Sequence, residues 1–141
     1  MVLFQQSNQV AHMDWIELYN RTILLNFAII GGSVLVLWLI SIRVRDVSII
    51  DMAFASILLA VTCCGYYFGN GLQARKQLIL ALVAIWAFRI TLHLVRRNWG
   101  HGEDVRYSKL RSWVNDDQAF IWLSLRQVFL TQGVVLWLVS L

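Results

Sequence analysis

Four long apolar runs, at residues 22–42, 47–68, 78–96 and 119–141, constrain this chain more than any other feature of it. Each is about 20 residues long, enough for a helix rising 1.5 Å per residue to cross roughly 30 Å of hydrocarbon. Membrane β-strands would alternate apolar and polar residues, and these runs do not. The chain is 59% hydrophobic and 14% charged, more apolar surface than one soluble core of 141 residues can hide. A soluble enzyme domain, a disordered segment and a disulfide-stapled secreted module are therefore excluded. The expected fold class is all-α: a single polytopic transmembrane helix bundle with about four helices in this chain, its partner being the lipid bilayer.

The net charge of +4 does not point to nucleic acid. The basic residues sit at the ends of apolar runs, where they set orientation. Arg43, Arg45, Arg96, Arg97, Arg106, Lys109 and Arg111 flank the first and third connections, against Arg21, Arg75 and Lys76 on the other side. The expectation is a multi-pass protein with loops 43–46 and 97–118 cytoplasmic and the N-terminus outside or lumenal. No basic residue precedes Arg21, so the first run reads as an uncleaved signal anchor. Cys63 and Cys64 are neighbours on one helix and point about 100° apart, a poor geometry for a disulfide. Gly31-Gly32 lies mid-helix, where glycine commonly permits close helix packing. The fourth run stays apolar to Leu141, which favours an N-terminal part of a longer bundle over a complete four-helix protein.

Ionisable groups inside hydrocarbon are costly and usually face a cavity or a partner. Counted at 1.5 Å per residue from the nearer helix ends, Asp51 lies roughly 7 Å deep, Arg89 roughly 10 Å and Arg126 roughly 12 Å, with His93 one turn shallower than Arg89. Trp86, Arg89, His93, Arg96 and Arg97 follow i, i+3, i+4 spacing and form one stripe. With Asp51 as the one opposing carboxylate, this is either a net-positive pocket for a phosphate or carboxylate, or an Asp51–Arg89 ion pair with Arg126 reaching to the surface.

The long loop contains Asn98-Trp99-Gly100-His101-Gly102-Glu103-Asp104-Val105-Arg106-Tyr107. His101, Glu103, Asp104, Arg106 and Tyr107 are either a lid over the basic stripe or a surface charge network. His93, His101, Glu103 and Asp104 match no compact metal-ligand spacing, so no metal is expected. Asp46 or Ser48 is placed to cap the second helix.

Asp46-Val47-Ser48 through Asp51, Trp86-Ala87-Phe88-Arg89, Gly100-His101-Gly102-Glu103-Asp104-Val105-Arg106-Tyr107 and Gln132-Gly133 together resemble the steroid 5-alpha-reductase-like membrane proteins, in their uncharacterised branch, over roughly residues 35–141. The resemblance implies a longer bundle that reduces a carbon–carbon double bond in a steroid- or lipid-like enone with NADPH. It implies a hydrophobic small-molecule substrate and an acidic group acting on the enone carbonyl. Asp51 falls near the acidic residue that orients the catalytic tyrosine of true steroid reductases, and Trp86 stands near that tyrosine's place. Asp51 is thus the catalytic candidate, and Arg89, His93, Arg96 and Arg126 are the cofactor-binding candidates. The family's main nucleotide-binding motif lies outside this chain, so the chain alone is expected to be inactive. The alternatives are a non-catalytic accessory subunit of a membrane complex, with a partner subunit covering the fourth helix, and a lipid methyltransferase on a related fold.

Overall fold

A computed structural model describes residues 2–98, 103–114 and 116–140, and no strand occurs among them. The fold is all-α. Helix α1 runs Val2–Val44, α2 Ile49–Phe68, α3 Gln73–Asn98, α4 Val105–Arg111, α5 Asp117–Ser124 and α6 Leu130–Val139, with a π-helical turn at Leu125–Phe129 joining the last two. Four stretches are long and apolar enough to cross a membrane: Tyr19–Val44, Ile49–Phe68, Gln73–Asn98 and Asp117–Val139.

Two features depart from the expected layout. Helix α1 continues N-terminally of the first apolar run, so the polar lead-in is helical too. The 97–118 connection carries α4, whose seven residues are too few to display a periodicity. Its start is marked by Asp104, whose side chain accepts the Arg106 N–H as an N-cap.

Helix α1 ends where Arg45 takes a left-handed conformation, φ 59°, the place glycine usually occupies. The chain then turns directly into α2. Asp46 Oδ1 accepts the Ser48 N–H at 2.8 Å. Ser48 does not cap α2 with its side chain, contrary to one of the two expectations for that turn. Its fully buried hydroxyl instead accepts the backbone N–H of Asp104, at 2.9 Å.

The core lies between α1, α2 and the fourth span, where Ile30, Val34, Ile50, Ile57, Phe129 and Leu136 are buried together. Helix α3 packs chiefly on α2, and Ala87 is its one buried residue among those described. Leu78, Leu82, Ile85 and Phe88 stand exposed along it, as suits a helix bathed in lipid. The glycine that brings helices close is Gly133, where an added Cβ would lie 3.3 Å from Val34 Cγ2. Gly31 and Gly32 face open space, so the packing role expected of them is not realised. Cys63 and Cys64 are free thiols, half-buried.

Candidate functional site

Asp51 sits in the first turn of α2 and receives donors from two segments distant in sequence. Arg106 Nη2 donates to Oδ2 at 2.9 Å, Tyr107 Oη lies 3.0 Å from both carboxylate oxygens, and Gln132 Nε2 donates to Oδ1 at 3.1 Å. A carboxylate offers about four lone-pair positions, so these donors occupy most of its capacity.

Each donor is positioned by local structure. Arg106 and Tyr107 occupy the first turn of α4, which Asp104 caps. Gln132 follows the π-helical turn, where Leu130 N–H reaches back five residues to Leu125 C=O. The extra residue in that turn changes the facing of everything after it, and such insertions recur at functional sites. Val128 and Phe129 are both buried within it.

The loop that delivers α4 is stapled to the α1–α2 turn. Glu103 Oε1 accepts the Val47 N–H at 3.2 Å, beside the Asp104–Ser48 bond described above. Asp104 also pairs with Arg97 at 2.9 Å and with Arg106 at 3.1 Å. Arg111 makes two hydrogen bonds of 3.2 Å to Glu103, and its guanidinium lies 3.9 Å from the Phe120 ring centroid.

The Arg106 hydrogen bonds hold the Asp104 carboxyl down at about 2. The same contact raises the Arg106 guanidinium above its ordinary range, so it stays cationic. Burial, and after it the negative charge of Asp51, pushes the Tyr107 phenol up, so it keeps its proton and remains a donor.

A cavity of about 300 Å³ opens beside this cluster, between α2, α3, α4 and the fourth span. Asp51, Arg97, Arg106 and Gln132 supply its polar wall, and Phe54, Trp86, Ile90 and Leu94 its apolar one. Tyr107 does not line it and supports Asp51 from behind.

The sequence-predicted residues therefore divide. Asp51, Arg106 and Tyr107 come together, with Glu103 and Asp104 next to them as the paired groups of the loop. His101 lies outside the described residues. Arg89, His93 and Arg96 lie along an open groove on the surface of α3 itself, whose other residues include Trp86 and Ile90, shared with the cavity. The expected convergence of Asp51, Arg89 and Arg126 on one pocket does not occur. Asp51 pairs with Arg106 rather than Arg89, because α4 brings a guanidinium within 3 Å while Arg89 turns to the neighbouring face of α3. Arg126 stands exposed on the π-helical turn and lines neither space.

Gln132 was not identified as a site residue from the sequence beyond its place in the Gln132-Gly133 pair. A polar amide in the midst of an apolar run is the signal that marks it.

No curated protein and no solved structure matches the chain. The family described as "Protein of unknown function (DUF1295)" matches residues 37–141, which include α2, α3, α4 and every residue of the Asp51 cluster. A match over that much of the sequence makes this chain a member of the DUF1295 family.

Proposed function

We propose that the chain is part of an NADPH-dependent reductase of a steroid- or lipid-like enone. The observation that carries this reading is the two-sided cavity beside Asp51. Its apolar wall suits a hydrophobic body, and its cluster of N–H donors suits a single carbonyl oxygen at one end.

Arg106 would act as a fixed positive donor where negative charge develops on that oxygen, with Gln132 and Arg97 beside it. Asp51 is a positioning residue for Arg106 and Tyr107 in this scheme, and the protonated Tyr107 holds the carboxylate in place. NADPH, when bound, would supply the hydride for the double bond. Arg89, His93 and Arg96 are the candidates for its phosphates, because no described carboxylate pairs with any of them and all three lie along one open groove of α3. Arg126 stands apart from that groove and is left out of the proposed site. The bias of Lys and Arg supports a cytoplasmic side for this end of the bundle.

The test is thermal unfolding, in detergent micelles with NADPH, of a longer protein that carries this chain together with the nucleotide-binding part the resemblance implies. We expect a rise in midpoint at saturating NADPH that is lost in Arg89→Leu. An unchanged midpoint in the wild-type protein would remove the cofactor from the proposal.

One observation favours a second reading, a non-catalytic accessory subunit. Asp51, Arg106, Asp104 and Arg97 form a chain of ion pairs that satisfies itself without any ligand. This reading expects a partner membrane subunit to remain bound through detergent extraction while NADPH leaves the melting curve unmoved.

A further inference from the structure

The turn between α2 and α3, at the end of α2 away from Asp51, is Gly69-Asn70-Gly71-Leu72. Gly69 closes α2 by donating its N–H to the Gly65 carbonyl at 2.9 Å. Lys76 opens the ladder of α3 by donating its N–H to the Leu72 carbonyl at 3.1 Å. Asn70 and Gly71 lie between these two anchors, and both are exposed. Among the described residues, no hydrogen bond engages the Gly71 N–H or the Asn70 side chain.

An amide side chain and the next backbone nitrogen can close a five-membered ring when both are free. Glycine in the second position removes the Cβ that would crowd this approach. The asparagines within the first span differ on both counts. Asn20 and Asn26 are followed in α1 by Arg21 and Phe27, which carry large side chains and whose N–H groups belong to the helix ladder.

We propose that Asn70 is a modification site, converted to aspartate and isoaspartate through attack by the Gly71 backbone nitrogen. That nitrogen gives up its proton and bonds to Asn70 Cγ. The Cγ–Nδ2 bond breaks, and ammonia leaves with the proton. The cyclic imide then takes up one water. Opening at Cγ restores the original backbone with an aspartate side chain. Opening at the main-chain carbonyl carbon leaves isoaspartate, with the backbone routed through the side chain. Lys76 lies ready beside the product. Its side chain passes Gly71, and its Nζ donates to the Gly69 carbonyl at 2.7 Å, so the new carboxylate forms next to a cation. The site is separate from the Asp51 cavity and does not depend on any reductase activity there.

The test is peptide mapping by mass spectrometry of the full chain, held in detergent micelles and mildly alkaline buffer and sampled over weeks. Exchange of ammonia for water reports conversion, and chromatography separates the two products. A synthetic peptide of residues 67–74 gives the rate of the unrestrained sequence. Asn70 in the folded chain is expected to convert within about threefold of the peptide's rate, because nothing in the turn holds either reacting group. Asn20 and Asn26 should remain amides over the same period. Gly71→Ala should slow conversion about tenfold. The Gly71 backbone is not left-handed, and an added Cβ would meet only the Lys76 side chain, at 3.8 Å, so the variant should fold as the parent does. An Asn70 that stays an amide in the micellar chain while the peptide converts would overturn the proposal. So would conversion at a rate that Gly71→Ala leaves unchanged, since direct hydrolysis of the side chain needs no neighbouring nitrogen.

Discussion

Helix α3 shows two kinds of positive charge a few residues apart. On the side facing α2 and α4, Arg97 joins Asp104, Arg106 and Asp51 in a connected set of ion pairs. On the adjoining side, Arg89, His93 and Arg96 lie along an open groove that offers them no described carboxylate. Arg96 and Arg97 are neighbours in the last turn of α3, yet only Arg97 has a described carboxylate, so depth does not tell them apart. What separates them is whether a distant segment folds back with an acid. The paired face holds α4 in place, and the basic residues of the other face have no described carboxylate partner.

Replacing Asp51 tests the first half of that contrast and should have the largest effect. Asp51→Leu leaves Arg106, Tyr107 and Gln132 without their shared acceptor. The expected loss is about 2–3 kcal/mol of stability, read from denaturant or thermal unfolding in micelles. Arg89→Leu should leave stability within about 0.5 kcal/mol, since no described partner is lost. Similar losses from both substitutions would erase the distinction between the two faces.

A smaller effect separates the two glycine sites that carry the same residue for different reasons. Gly31→Ala should raise stability by about 0.5–1 kcal/mol, because its Cβ meets nothing and the helix interior gains a better former. Gly133→Ala should not share that gain, because its Cβ crowds Val34 at 3.3 Å. Unfolding midpoints of the two variants would sharpen the claim that the fourth span, and not the Gly31-Gly32 pair, makes the close contact with α1.

The smallest expected effect is that of acid on the paired face. The Asp104 carboxyl has its pKa lowered from 3.8 to about 2 by Arg106. A lowered folded-state value contributes stability that is present above about 3.8 and lost as pH falls toward about 2. Solvent screens this pair, so the expected sign is local loosening of α4 and not global unfolding. Protection of the α4 amides from hydrogen exchange, taken relative to their intrinsic rates, should fall between pH 4 and 2, and Asp104→Asn should remove that change.

Much of the architecture was legible from residue order because lipid imposes a simple rule. A chain crossing hydrocarbon must satisfy its backbone within each segment, so an apolar run of sufficient length implies a helix. Asp51 stands out for the same reason, as a charge within an apolar run, and the Glu103–Tyr107 stretch stands out through its place in the family resemblance. The pairing of Asp51 did not follow. Similar depths in the membrane made Arg89 one candidate partner for Asp51, but depth along two helices says nothing about which faces they turn to each other. Seven residues of α4 and one extra residue in a π-helical turn redirected the donors, and neither leaves a periodic trace.

Residue order alone settled that this chain is helical and that four of its stretches can cross a membrane, because hydrophobic burial and backbone hydrogen bonding act locally along each run. Only the tertiary structure decided which charges meet. Ion pairs and hydrogen bonds form over about 3 Å between groups as many as 81 residues apart, and no local rule carries information over that separation.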